Sequence, residues 1–111
     1  MSTNQYVQIG NEQFRIAKPI SGVYTTDSTT AGNQPVDTSG AGYSSITLYN
    51  GSGATVYYGS AGTTVANGMP LVANATATIS STDPRERVRL KDLFITGNGT
   101  SGLAINWTAV G

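Results

Sequence analysis

The sequence contains no cysteine and no histidine, and only 11% of its 111 residues are charged. Without cysteine the chain has no disulfide framework and no thiolate metal site, and without histidine it lacks the commonest metal ligand and general base. Six basic residues balance six acidic ones, so the chain lacks the basic surplus of nucleic-acid-binding domains. We therefore expect no enzyme activity, no metal or other cofactor, and no nucleic-acid partner.

Long apolar runs are absent too. A membrane-spanning helix needs about 18 consecutive apolar residues, and the sequence has no such run. The N-terminal stretch MSTNQYVQIGNEQFR has neither the basic region nor the apolar region of a secretory signal. These observations predict a protein that is made in the cytoplasm and has no membrane partner.

The residues that are abundant favour β-structure. Threonine occurs 16 times, valine 8 times and tyrosine 6 times, against 5 leucines, and β-branched and aromatic side chains suit a pleated surface. Short alternating apolar runs are separated by Gly, Ser and Asn, and no amphipathic helical stretch is present. We predict an all-β fold, an antiparallel β-sandwich or jelly roll of about seven or eight short strands.

The length predicts one domain over residues 1–111. Within it, residues 1–42 form an N-terminal hairpin or arm and a long loop, and residues 43–111 form the main β core. In the N-terminal hairpin Val7 and Ile9 share one face of the first strand, and Phe14 and Ile16 share one face of the second, after a turn at residues 10–12. Residues 21–42 are rich in Gly, Ser and Thr, and such a long loop requires either a function or a short strand near Val23 and Tyr24.

Local patterns predict the strands of the core. ITLYNGSGATVYY (residues 46–58) and LFITGNGTSGLAINW (residues 93–107) each resemble a hairpin with a glycine-rich turn. A further strand follows Pro70, which disfavours a central position in a sheet. Apolar residues alternate up to Leu90, but from Leu93 onwards the alternation is shifted by one position. This shift predicts a bulge or turn near Lys91 and Asp92. Ser81–Pro84 has the pattern of a helix cap, with room for a single turn.

One motif is misleading. GNGTSG (residues 97–102) matches the glycine pattern of dinucleotide-binding proteins, but a strand follows it rather than the helix N-terminus that holds a pyrophosphate. We interpret it as a hairpin turn.

Arg85, Arg87 and Arg89 would lie on one face of a strand, with Lys91 continuing the row. This row is either a solvated or guarded sheet edge, or an interface stripe that meets carboxylates of a partner. Nearby acids (Asp83, Glu86 and Asp92) are better explained by ion pairing with these arginines than by catalysis. Three tyrosines are candidates for stacking on sugars or for cross-strand contacts within the fold: Tyr49, Tyr57 and Tyr58.

The segments ITLYNGSGATVYYG, NGMPL and VRLKDLFITGNGTSGLAINW resemble small virion proteins of tailed bacteriophages, over about residues 43–110. The resemblance implies a capsid decoration protein, also called a cement or staple protein, on the outer surface of the virion. Such a protein is made in the cytoplasm of the host bacterium. Its implied partner is the major capsid protein, whose subunits it would bridge and stabilise. We further expect, as a hypothesis of multivalent attachment, that the chain associates with copies of itself as a homodimer or homotrimer.

The partner-binding residues are predicted from physical considerations alone, and none is taken from the resemblance. These are Tyr6 and Phe14 in the N-terminal segment, together with Arg85, Arg87 and Arg89. The alternative function is a carbohydrate-binding β-sandwich of a phage tail or fibre, which would use exposed tyrosines.

Overall fold

The computed structural model describes residues 6–9, 12–15, 19–83 and 85–111, with only the main chain for the first two ranges. It is 42% strand and 3% helical, which confirms the prediction of an all-β, sandwich-like fold. The strands are β1 (Tyr6–Ile9), β2 (Glu12–Arg15), β3 (Ile20–Thr25), β4 (Gly42–Tyr43), β5 (Ser45–Asn50), β6 (Val56–Gly59), β7 (Met69–Leu71), β8 (Thr76–Ser80), β9 (Val88–Arg89), β10 (Phe94–Thr96) and β11 (Ala104–Val110). Several are only two or three residues long, so the described strands outnumber the predicted ones.

Two antiparallel sheets contribute most of the core. One has four strands in the order β3-β11-β5-β8, and the other has three in the order β10-β6-β7. Two smaller pairs, β1 with β2 and β4 with β9, are also antiparallel. The antiparallel pairing of β1 with β2 confirms the predicted N-terminal hairpin, and its register sets Val7 opposite Phe14. Among the described residues no helix has the length and apolar character needed to cross a lipid bilayer.

The core follows from strand alternation. In β11, Ile105, Trp107 and Ala109 are buried, and the residues between them are exposed. Both sheets supply buried side chains to a single cluster: Tyr24, Val36, Ile46, Leu48, Val56, Leu71, Leu90, Leu93, Ile95, Ile105, Trp107 and Ala109. The indole of Trp107 covers Gly22 on the neighbouring strand, where a Cβ atom would lie 2.5 Å from Cζ2 of the indole. Glycine at position 22 therefore makes room for the largest side chain of the core.

The hairpin predicted over residues 46–58 is wrong, although both of its strands exist. β5 pairs with β11 and β8, whereas β6 pairs with β10 and β7 in the other sheet. The chain crosses between sheets after Asn50, whose side chain is fully buried. Its Nδ2 donates to the carbonyl oxygens of Ala54 (2.7 Å) and Leu71 (2.8 Å), and its Oδ1 accepts from N and Oγ of Ser52 (3.0 and 2.6 Å). These bonds close a tight corner that a hairpin would not form.

The predicted C-terminal hairpin is also wrong. β10 pairs with β6, and β11 lies between β3 and β5 in the other sheet. Residues 97–102 do turn sharply, since Asn98 and Gly99 have positive φ (53° and 87°) and Thr100 N donates to Gly97 O at 3.2 Å. The turn nevertheless joins strands of different sheets and does not close a hairpin.

The long loop predicted over residues 21–42 was expected either to have a function or to contain a short strand near Val23 and Tyr24. The structure contains this strand. β3 covers Val23 and Tyr24 and pairs with β11 along its whole length. The residues after it are fastened to the three-stranded sheet: Val36 N donates to Leu93 O at 2.8 Å, and Pro35 forms a bridge with Phe94. This segment therefore covers the outer edge of β10.

Two further predictions are confirmed. Pro70 lies in β7, at the edge of its sheet, and the strand expected after it is β8. The shift of the alternation between Leu90 and Leu93 is produced by a 3₁₀ turn over Leu90–Asp92. The turn rotates the chain so that Leu90 and Leu93 are both buried.

Candidate functional site

Charge is concentrated in one short part of the molecule. Seven of the twelve charged residues of the chain lie in residues 83–92, which we call the charged segment. From residue 19 to residue 82 the chain carries two charges, Asp27 and Asp37. The charged segment is thus the one place where the described surface offers several ionic groups to a partner.

The segment begins with a turn rather than a helix. Glu86 N donates to Asp83 O at 3.0 Å, and Arg85 N donates to the Asp83 carboxylate at 2.9 Å. Arg85 Nε also lies 3.4 Å from this carboxylate, the only ion pair within the described part of the chain. The Arg85 side chain is 87% exposed, and an exposed pair of this kind adds little stability. Asp83 is therefore a turn residue that pairs with arginine, as the sequence indicates.

The predicted row of arginines along a strand is not formed. Only Val88 and Arg89 are in a strand, which pairs with Gly42 and Tyr43, and Arg85 belongs to the preceding turn. The Arg87 guanidinium donates to Gly111 O, and Arg89 Nε donates to Gly40 O at 3.2 Å. The three side chains do not form one row, because Arg85 pairs with Asp83 whereas Arg87 and Arg89 bond to main-chain oxygens of Gly111, after β11, and of Gly40, before β4.

An apolar groove lies beside the charged segment. It has a volume of about 310 Å³, and its lining includes residues of β6 and β7 in one sheet and of β8 in the other. Met69, which is 60% exposed, forms one wall. The residues around the groove are Tyr58, Gly59, Ser60, Met69, Ile79, Arg87, Val88, Arg89, Asp92 and Leu93. The groove is therefore lined by apolar side chains together with two of the arginines that were predicted to bind a partner.

The structure places the other predicted residues apart. Tyr58 lines the groove, whereas Tyr57 points to the opposite face of β6 and Tyr49 lies on the four-stranded sheet. The three tyrosines therefore do not assemble into one platform for a sugar. Of Tyr6 and Phe14 the structure describes only the main chain, so the prediction for their side chains lies outside the described residues.

The acidic side chains do not converge on a catalytic or metal-binding arrangement in the described structure. Asp92 is exposed at the groove, and Asp83 is engaged in its turn. No group of three or more Asp, Glu, His or Cys side chains suited to a metal ion is found within residues 19–83 and 85–111.

Sequence reasoning missed the apolar part of this site. Met69 precedes Pro70 in a short edge strand, and Ile79 shares the inward face of β8 with Ala77. Nothing in the local pattern shows that Met69 and Ile79, on consecutive strands of different sheets, line one groove with Leu93 and the arginines. The one available signal is the position of Met69 beside a proline, which marks an edge.

Comparison of the chain with protein-family models, with curated protein sequences and with solved structures found no match.

Proposed function

We propose that this chain is a structural virion protein that binds the outside of a bacteriophage capsid and holds neighbouring major capsid protein subunits together. The observation that carries the proposal is the apolar groove beside the charged segment. Tyrosine, methionine and arginine are enriched in protein–protein interfaces, and Tyr58, Met69, Arg87 and Arg89 all line this groove. A partner chain is therefore a better occupant for it than a small polar ligand.

The resemblance to phage virion proteins supports the same function. Its segments correspond to β5, β6, β7, β9, β10 and β11, which include the whole three-stranded sheet and the two central strands of the four-stranded sheet. The resemblance thus concerns the body of the sandwich and the groove rather than an isolated loop.

The arginines would provide specificity at the rim. Arg87 and Arg89 each use part of the guanidinium group for a main-chain carbonyl, and a guanidinium has five N–H donors. The remaining donors can meet a carboxylate of a capsid subunit, while apolar side chains of that subunit enter the groove. Binding of this kind needs no cofactor, nucleic acid or membrane.

The chain would act as a homodimer or homotrimer on the outer capsid surface, after synthesis in the host cytoplasm. Several weak contacts then act together, because each contact that forms raises the effective concentration of the next. This multivalency would let a small protein stabilise a large shell.

The test uses capsids that lack the protein, to which purified chain is added. We expect hundreds of copies per particle, on the order of the number of capsid subunits that share contacts, counted by quantitative gel and located by electron microscopy. Decorated capsids should withstand heat and low salt better than bare ones. Absence of the chain from the shell, or its presence only at the tail, would show that the proposal is wrong.

Three single substitutions test whether the groove and the charged segment form the capsid-binding surface. Met69→Lys places a charge in the groove and Arg85→Glu reverses an exposed charge, and each should weaken capsid binding by about tenfold or more. Val65→Lys is the matched control, since Val65 is 40% exposed and lies outside the groove. Equal binding by all three variants would exclude the groove and the charged segment as the capsid-binding surface.

A further inference from the structure

In the described part of the chain, strand β8 pairs on one side only and its other main-chain edge has no partner strand. It is the outermost strand of the four-stranded sheet, and the bonds Ser81 N to Ser44 O (2.9 Å) and Asn50 N to Ala75 O (3.0 Å) fix which of its residues face β5. Because antiparallel ladders alternate, Ala77 and Ile79 bond to β5. The N–H and C=O groups of the remaining residues, Thr76, Thr78 and Ser80, point away from the sheet.

Within the described residues, strand β8 has neither a charge nor a proline to protect its edge against pairing. Edge strands are normally guarded by charge, proline, a bulge or a covering segment. In the three-stranded sheet, β7 contains Pro70 and β10 is covered by the Pro35 bridge. Residues 72–82, in contrast, contain no charged residue and no proline, and the three outward-facing residues of β8 are exposed.

The opposite edge of the sheet, β3, is less suited to pairing. It begins directly after Pro19 and has Gly22 in its middle, beneath Trp107. Glycine within a strand costs conformational entropy and offers no side chain for a cross-strand pair. β8 instead presents two threonines and a serine, which form favourable cross-strand contacts.

We infer that two copies of this chain associate through β8, paired antiparallel about a two-fold axis that passes beside Thr78. In this register Thr78 faces Thr78 of the second copy, and Thr76 faces Ser80. All the outward N–H and C=O groups of β8 are then used, for about six intermolecular hydrogen bonds. The partner is a second copy because the edge is uncharged and self-complementary, so no like charges oppose each other.

The dimer has a geometric consequence for the binding surface. The two four-stranded sheets become one continuous sheet, and both three-stranded sheets lie on the same side of it. Ile79 of β8 lines the groove, so the dimer would bring the two grooves close to the axis. Ser80 of one copy faces Thr76 of the other, so the two Ser80 residues, from which each chain continues to its charged segment, lie roughly 14 Å apart along the strand direction. Self-association is inferred from the sheet edge alone and does not depend on the capsid proposal.

The first experiment measures mass in solution by sedimentation velocity on the purified full chain. We expect twice the monomer mass of 11.5 kDa. Thr78→Lys sets two lysines opposite each other on the axis and should shift the protein to monomer. Thr108→Lys is the matched control, because Thr108 is exposed on the same face but lies in the central strand β11; this variant should remain a dimer.

Three outcomes would overturn the inference: a monomeric wild type at micromolar concentration, a Thr78→Lys variant that remains dimeric, or open assemblies that grow beyond the dimer. Thermal unfolding of both lysine variants shows whether each is folded.

A cysteine variant tests the register without adding charge. The chain has no cysteine, so Thr78→Cys introduces a single thiol whose Cα would lie about 5.5 Å from its copy, within disulfide range. Mild oxidation should produce a covalent dimer on a denaturing gel, and Thr108→Cys should give none. Cross-linking of Thr108→Cys with no cross-linking of Thr78→Cys would show that the pairing is wrong.

Discussion

Replacing Asn50 with alanine should destabilise the fold more than any other single change of a polar residue described above. The Asn50 side chain is fully buried and takes part in four hydrogen bonds, to Ala54, Leu71 and Ser52. A typical hydrogen bond contributes about 1 kcal/mol net, and a buried group left without a partner costs about 1 to 3 kcal/mol. The carbonyl of Leu71 is the buried partner, whereas the groups of Ser52 can bind water.

Together these values give an expected loss of about 3 kcal/mol in the free energy of unfolding. For a domain of this size that loss corresponds to a decrease in Tm of roughly 15 °C. Urea denaturation, followed by tryptophan fluorescence from Trp107, measures the change directly. The m-value should stay constant, because the alanine variant exposes the same surface on unfolding.

Two further variants make the measurement specific. Asn106→Ala removes an exposed asparagine from the outer face of β11 and should change stability by less than about 0.5 kcal/mol. Asn50→Asp keeps the shape of the side chain but replaces the NH₂ donor with an oxygen that faces two carbonyls. At neutral pH it should therefore lower the free energy of unfolding by as much as Asn50→Ala does. If Asn50→Ala costs no more than Asn106→Ala, the inter-sheet corner does not depend on this side chain.

Three other predictions follow from the core and from two shifted ionisations. Gly22→Val should lower stability by about 3 kcal/mol, because its side chain collides with Trp107; a melting temperature equal to that of wild type would contradict the packing. Burial, with a smaller contribution from the charge of Asp27, raises the pKa of Tyr24 above 10.0. The stability from neutral Tyr24 is thus present below pH 10 and is lost as pH rises further, so Tyr24→Phe should flatten the alkaline decrease in urea midpoint. Hydrogen bonds from Thr29 lower the pKa of Asp27 below 3.8, so the stability that they provide is present above that pH and is lost in stronger acid. Asp27→Asn should reduce the acid-induced decrease in Tm, and an unchanged acid profile would show that the carboxylate makes no contribution.

The sequence predicts the strands well because a strand with one buried face alternates over a few residues. Ile46 and Leu48 in β5, and Ile105 and Trp107 in β11, follow this rule, and they are buried as predicted. The sequence does not predict in the same way which strands pair with each other. NGSG and GNGTSG contain hairpin-type turn residues, yet both connect strands of different sheets. A glycine-rich turn permits a reversal of the chain but does not determine which strand becomes the neighbour.

The candidate site was predictable only in part. The cluster of charges at residues 83–92 is visible in the sequence, but its geometry depends on loops that are distant along the chain. Arg87 and Arg89 are held by the carbonyls of Gly111 and Gly40, and no local spacing rule reports such contacts. The residues that line the groove come from β6, β7, β8 and β9 and from the turn before β10, and they meet only in the folded structure, so they could not be grouped from the sequence.

The central position of β11 has a consequence for how the protein folds. β11 follows every other described strand along the chain, yet it lies between β3 and β5 and joins residues as distant as Tyr24 and Ile105. The four-stranded sheet therefore cannot nucleate from neighbouring hairpins, and loops of many residues must close before the main ladder forms. We expect folding on the millisecond to second timescale of all-β proteins of high contact order. Until β11 is inserted, β3 and β5 present open edges, so crowded refolding should favour aggregation at this step.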